Sequence, residues 1–273
     1  MKLLVYTAVF GGYDRVFPPV VAESALDYVV VTDDPDLKPA GWRVIRVDPA
    51  DYGSPKAANL HYKALMHREL PGYDASLYID GNVRLLGRTS EVFDRFLTSG
   101  AALGVFRHPT RTCVADEVEA CILGRKGDPE TLRAELTTYR DEGFADDQGL
   151  IEATIILKNH NAPDLDPAMA LWRDLFSRFR TRDQFSLPVV KARTGVSCVY
   201  HDFNFRNPNP WFGHYPHRGA AGVRPLYADI FARAYDSGPH RLLLRAWQGW
   251  WSLRRRLGGS DGENRERAAS DGL

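Results

Sequence analysis

The stretch Leu77-Tyr78-Ile79-Asp80-Gly81-Asn82-Val83-Arg84-Leu85 decides how this chain is read. Two apolar, β-prone runs flank one acid, one glycine and one amide. The first run predicts a buried strand, entered from a turn at Pro71-Gly72-Tyr73-Asp74. A buried strand that ends in a carboxylate must give it a partner, because an unpaired buried charge is costly. In open α/β sheets the carboxyl edge of the strands is where ligands bind. Gly81 lets a ligand approach the backbone, and the Asn82 amide oxygen could join Asp80 on a hard cation. The same three residues also suit a hairpin turn between two strands, so the neighbouring segments have to decide.

Toward the N-terminus, residues 3–10 form a continuous apolar run, as in a first strand covered on both faces. Gly11-Gly12-Tyr13-Asp14 ends it. No Gly-Lys-Ser/Thr follows, so this is no phosphate-cradling P-loop. Tyr13 could stack on a base or cap the sheet, and Asp14 could bond a ribose or cap a turn. Residues 28–32 predict a second strand closed by Asp33-Asp34-Pro35, and residues 42–47 a third, stopped by Asp48-Pro49. Three short strands with polar ends predict the nucleotide half of an α/β sheet. Ser54-Pro55 then opens a helix to about residue 70, with Ser54 as N-cap. Lys56, Asn59 and Lys63 share one face of it. That row could hold a diphosphate or be a solvated face.

Toward the C-terminus, a helix near residues 90–97 precedes a strand at 101–106, which delivers Arg107-His108-Pro109-Thr110-Arg111 to an edge. Helices are predicted over 116–123 and to about residue 140. The segment Asp146-Asp147-Gln148-Gly149-Leu150-Ile151-Glu152 sets three carboxylates around a glycine ahead of a strand at 153–157. That density suits proton transfer or sugar binding, or a solvated turn. A helix follows over 166–180. After it comes Arg182-Asp183-Gln184-Phe185-Ser186 and a buried-looking Leu187-Pro188-Val189-Val190. A last strand at 197–200 ends in His201-Asp202, and an aromatic-rich segment to residue 218 reads as an ordered loop that covers something.

The chain has 273 residues, 44% hydrophobic and 26% charged, which suits one large domain. Formal net charge is zero, so nothing points to nucleic acid as a partner. Cys113, Cys121 and Cys198 lack paired or metal-ligand spacing and predict structural thiols in a reducing compartment. The start of the chain reads as fold sequence, not as a signal peptide, and no run is long enough to cross a bilayer. A cytoplasmic location is expected. Residues 239–257 change character: leucines and tryptophans alternate with His240, Arg241, Arg245, Arg254, Arg255 and Arg256, with no acid. As a helix this is basic and amphipathic. It could lie on the inner face of a membrane or pack on the domain's own core. Residues 258–273 are polar and predict disorder. The expected organisation is a catalytic domain at 1–236, this helix at 237–257 and a tail at 258–273.

Taken together, Tyr6-Thr-Ala-Val-Phe-Gly-Gly-Tyr-Asp14, Tyr78-Ile-Asp-Gly-Asn82, Arg107-His-Pro-Thr-Arg111 with Glu117-Val-Glu-Ala120, Gly149-Leu-Ile-Glu152 and Arg182-Asp-Gln-Phe-Ser186 recur in that order in one family. The chain resembles, over about residues 3–205, the glycosyltransferase-like proteins that include plant mucilage and turgor-defect proteins and bacterial polysaccharide-cluster members. The resemblance implies a GT-A-like fold: a mixed, mainly parallel sheet flanked by helices, with a metal motif after a central strand. It implies a transferase that moves a sugar from a nucleotide-diphosphate donor to a glycan or lipid-linked acceptor, in surface polysaccharide synthesis. By the same implication Thr7, Ala8, Tyr13 and Asp14 face the nucleoside, Asp33 or Asp34 the base or ribose, and Lys56, Asn59 and Lys63 the diphosphate. His108 and Arg111 would bind donor phosphate or acceptor. Asp80 and Asn82 stand at the metal motif for Mn²⁺ or Mg²⁺, with His201 or His214 completing the shell. Asn82 replaces a carboxylate there, which weakens attraction for the ion. Asp147 is the first choice as catalytic base and Glu152 the second, with Asp183 a further candidate.

Two other functions are compatible with these residues. A metal-assisted hydrolase of a lipid amide would use Asp80, His108 and Glu117 or Glu119, and requires them to converge on one ion. A non-catalytic nucleotide-sugar-binding protein would keep the fold without turnover.

Overall fold

The computed structural model describes residues 1–207, 209–215, 217–218, 230, 233–235 and 237–257, with the side chains of 248 and 251–257 left aside. The tail expected to be disordered lies outside the described residues. The main sheet has seven strands: β1 (Leu3–Val9), β2 (Leu26–Thr32), β3 (Arg43–Arg46), β4 (Ala75–Ile79), β6 (Leu103–Arg107), β7 (Ile151–Asn159) and β8 (Cys198–Tyr200). Their spatial order is β3-β2-β1-β4-β7-β6-β8. All run parallel except β7, which lies antiparallel to both β4 and β6. This is the mixed, mainly parallel, GT-A-like sheet that was expected, with the Asp80 motif directly after a central strand.

Both faces are covered, which is why β1, β2 and β4 read as unbroken apolar runs. One core holds Tyr6, Ala8 and Tyr78 against α1 (Pro55–Glu69), α5 (Leu165–Phe179) and α6 (Asp183–Thr194), with Trp172 and Phe185 fully buried. The α3 (Val114–Leu123) and α4 (Pro129–Asp141) helices close its far side. The other core packs Val5, Leu77 and Ile79 against Val92, Phe93 and Phe96 of α2 (Ser90–Thr98) and against Phe205 and Phe212.

Asp80-Gly81-Asn82 is not a hairpin turn. β5 (Val83–Leu85) leaves the main sheet and pairs antiparallel with β9 (Phe212–His214) in a sheet of two. The aromatic-rich segment therefore does cover something: it lies on the Asp80 motif. α6 is a helix where the sequence offered no helical reading. Pro188 sits inside it, and the run Leu187 to Val190 is buried because the whole first half of α6 is core. Gly195, at a φ of 67°, ends it in the left-handed conformation glycine adopts at little cost.

Candidate active site

Three charged side chains meet on one rim, Asp80 just after β4, Lys63 from α1 and Asp183 from α6. Lys63 Nζ lies 2.6 Å from Asp183 Oδ2 and 3.3 Å from Asp80 Oδ1. Tyr78 donates its hydroxyl to the same Asp80 oxygen at 2.8 Å. The lysine side chain is 4% exposed, while the two carboxylates keep about a quarter of their surface, 27% for Asp80 and 26% for Asp183. The ammonium is thus an inner wall and the acids are the rim.

Their protonation differs. Burial works against the charge of Lys63, yet Asp183 and Asp80 hold its pKa above the usual lysine value. Asp183 is desolvated too, but Lys63, with Arg182 and Lys56 behind it, keeps its carboxyl below the ordinary range. Asp80 goes the other way. Burial raises it, Lys63 offsets only part, and the like charges of Asp183 and Asp14 raise it further. Paired acids pushed apart in this way are a signature of divided roles.

Lys63 is aimed by a break in α1. Leu65 has non-helical torsions (φ −106°, ψ 17°). The carbonyls of Lys63 and Ala64 turn to the fully buried Lys158 Nζ, which also donates to the Tyr6 hydroxyl at 2.7 Å. Tyr6 in turn donates to the Lys63 carbonyl at 2.9 Å. Asp183 is held by its place in the first turn of α6 and by the Trp172 indole, which donates to its backbone carbonyl at 2.9 Å.

A second group closes one side. The imidazole Nδ1 of His217 lies 2.9 Å from Asp14 Oδ2, and its ring packs 4.9 Å from that of exposed Tyr13. Gly81 is fitted against this acid: a Cβ there would meet Val9 Cγ2 at 2.7 Å and Asp14 Cβ at 2.8 Å. Asp14, Asp80 and Arg182 all act electrostatically on His217, and Asp80, Asp183 and Arg182 on Tyr13. These residues form one charged cluster. Arg182 is its least satisfied member, since its buried Nε has no hydrogen-bond partner among the described residues. The sequence reading passed over Arg182 as a flank of a motif; an arginine just ahead of a helix whose first residue is acidic was the available signal.

Several expected positions are corrected. Of the α1 row, only Lys63 faces the cleft. Lys56 donates to the Thr181 carbonyl, and Asn59 donates to the Ala8 carbonyl at 2.5 Å, so both tie the chain to itself. Thr7 and Ala8 are 1% exposed, inside a sheet covered on both faces, and do not line the cleft. Asp33 accepts from the Gly11 amide at 3.0 Å and shapes the glycine loop, while Asp34 caps its own turn on Asp36. Asp147 is exposed, bonded only to Gln148 among the described residues, and Asp146 caps α3 through the amides of Val114 and Ala115.

Glu152 is buried and takes Arg206 NH2 at 3.0 Å and Thr154 Oγ1 at 2.8 Å. His108 and Arg111 belong to the same interior network through buried Glu117. Glu152 and Glu117 are sealed in the interior with their cations, whereas Asp80 and Asp183 keep about a quarter of their surface open. Nor does a hydrolytic metal cluster form. Glu119 is on the surface with Arg133, and among the described residues no group of three or more His, Cys, Asp and Glu could hold an ion.

At the expected metal position, Asn82 and His214 lie side by side. Asn82 donates Nδ2 to the Tyr215 carbonyl at 2.8 Å, and His214 Nε2 lies 3.3 Å from that nitrogen. This leaves Asn82 Oδ1 buried without a hydrogen-bond partner among the described residues. Asp80 Oδ2 makes no hydrogen bond to the described residues. Two unused oxygens with a neighbouring imidazole fit a hard cation that takes further ligands from a diphosphate. His201 is not among them. It stacks 4.8 Å from the Phe106 ring, with Nε2 close to Gly104.

A family model described as TOD1/MUCI70, glycosyltransferase-like domain, matches residues 1–207. The chain is similar to the probable hexosyltransferase MUCI70 of Arabidopsis thaliana, with 27% identity over 217 residues, covering 70% of this chain and 37% of that protein. It is also similar to the alkaline ceramidase TOD1 of the same plant, at 20% identity over 222 residues, 69% of this chain and 48% of that one. The chain thus spans less than half the length of these relatives. Among solved structures, the galactosyltransferase LgtC with donor and acceptor sugar analogues aligns with TM-score 0.49 and 13% identity, over 86% of this chain and 95% of that one. The glycosyltransferase GlyE of Streptococcus pneumoniae aligns with TM-score 0.49 and 14% identity, over 91% and 64%.

Proposed function

The chain belongs to the TOD1/MUCI70 glycosyltransferase-like domain family, and from that premise we propose that it transfers a sugar from a nucleotide-diphosphate donor to the hydroxyl of a glycan or lipid-linked acceptor. The observation that carries the reading is the meeting of Lys63, Asp80 and Asp183 from three separate segments on one rim, with Arg182 unsatisfied beside them. Such a site offers cations to a leaving diphosphate and one ionised carboxylate to the incoming hydroxyl.

In the proposed step the acceptor oxygen bonds to the anomeric carbon as the bond to the diphosphate breaks. Asp183 takes the hydroxyl proton. Lys63 and Arg182 bind the negative charge that develops on the diphosphate. Tyr13, exposed at the edge of the cluster, stacks on the nucleoside base. Asp80 and Asn82 would hold a Mn²⁺ or Mg²⁺ ion, and that ion would supply Lewis-acid neutralisation of the diphosphate. Lys63 already offsets Asp80, so Asp80 and Asn82 by themselves would hold a divalent ion weakly.

Thermal-shift titration with UDP, GDP and CMP, each with and without Mn²⁺, tests this. A diphosphate with Mn²⁺ should raise the melting midpoint by several degrees, and Mn²⁺ alone should leave it nearly unchanged. Hydrolysis of a nucleotide-sugar panel then separates a transferase from a protein that only binds. Stabilisation by the metal alone, with no response to any nucleotide, would overturn the reading.

A further inference from the structure

We propose that the C-terminal helix, Gly238–Leu257, is a docking surface for an anionic lipid bilayer. Its Leu242-Leu243-Ala246-Trp250 face enters the interface, and the basic charge of the segment meets the lipid phosphates.

The face is exposed. Positions 242, 246 and 250 recur every fourth residue and 243 adjoins them, so they share one side of the helix. Leu242 is 67%, Leu243 54% and Trp250 52% exposed, and Ala246 is exposed as well. Leu244, on the opposite side, is 7% exposed. Had this helix been a core element, the apolar face would point inward and the arginines outward. Here apolar and basic residues both meet solvent.

Charge selects the occupant. Five of the chain's 35 basic residues, Arg241, Arg245, Arg254, Arg255 and Arg256, lie in these 20 residues, and none of its 35 acidic ones does. The concentration is local, because the whole chain is formally neutral. A second copy would set like charges against each other. A polyanionic surface with an apolar layer beneath satisfies both parts of the helix, and tryptophan suits the boundary between them.

The helix is also firmly rooted. Arg241 donates to the carbonyls of Ala234 at 3.2 Å and Tyr235 at 3.3 Å, and the Tyr235 ring lies 5.6 Å from the Arg84 guanidinium. Arg84 is on β5, two residues beyond Asn82. A bilayer-bound helix would therefore hold the strand leaving the Asp80 turn close to the lipid surface.

Co-sedimentation of the full chain with phosphatidylcholine vesicles, with and without phosphatidylglycerol, is the test. The protein should bind the anionic vesicles, shift its tryptophan emission to the blue, and release as salt rises. Replacing both Leu242 and Leu243 by Ser should weaken binding at least about tenfold. Arg245→Gln should weaken it about fivefold. Neither change touches the cleft, so the melting midpoint should hold, which separates lost docking from lost folding. Equal binding to neutral vesicles, no binding to either, or a concentration-dependent dimer abolished by the double serine variant would each overturn the proposal.

Discussion

At the scale of single residues, the site sets two carboxylates on one ammonium, and their proton affinities are pushed in opposite directions. Lys63 keeps Asp183 below the ordinary carboxylate range, while burial and like charges raise Asp80. Asp183→Asn should therefore lower kcat by about 10²-fold or more, the usual share of a positioned acid–base group. Asp147→Asn, on the exposed loop, should leave activity within about twofold. Glu152→Gln separates chemistry from framework. It breaks a buried pair with Arg206, so stability should fall by about 3 kcal/mol in chemical denaturation, while the folded fraction retains turnover. A reversal, with Asp147→Asn inactive and Asp183→Asn active, would move the chemistry to the other loop.

At the scale of elements, the site depends on two places where regular structure gives way. The break at Leu65 in α1 is held open by Lys158, which occupies the freed carbonyls. Lys158→Met would take this donor from the Ala64 carbonyl and leave the Lys63 carbonyl with Tyr6 alone, at about 1–3 kcal/mol for a buried acceptor left unpaired. The expected result is a lower melting midpoint and weaker nucleotide binding together, because Lys63 loses its setting. The turn after β4 is the second place. Gly81→Ala would force a Cβ into Val9 and Asp14, both in rigid surroundings. Overpacking of this kind costs about 1–3 kcal/mol, and it displaces Asp14 from His217. A variant as stable as the wild type would show that the strand can shift after all.

At the scale of the whole molecule, the segment from β9 to Arg218 closes over the motif through Asn82, Tyr215 and the His217–Asp14 contact. Burial opposes the charge on His217, but the hydrogen bond it donates to Asp14 prevails and raises its pKa above the ordinary value of 6.5. The sign follows from that direction. The contact contributes in full below about pH 6.5 and is lost as pH rises through the raised value. Melting midpoints followed from pH 6 to 9 should show a decline that His217→Ala removes, with hydrogen exchange near residue 214 quickening over the same range. A profile identical in the variant would mean that Asp14 and His217 are not coupled.

The residue pattern alone determined most of the strands, the N-cap of α1 at Ser54, and the acidic turn after a central strand, because strand and helix periods and turn chemistry are local properties. It also determined that the segment ending near residue 218 covers something. It did not determine which acid faces the cleft. Asp147 and Glu152 look as reactive as Asp183 in one dimension; only packing exposes the first, seals the second with Arg206 and sets the third against Lys63. Likewise α6 was hidden by Pro188, and Arg182 by its neighbours. Tertiary structure decided these matters, since the free energy of a charged group is set by which partners and how much water surround it, and those come from distant segments, 54 residues apart for Glu152 and Arg206 and 120 for Lys63 and Asp183.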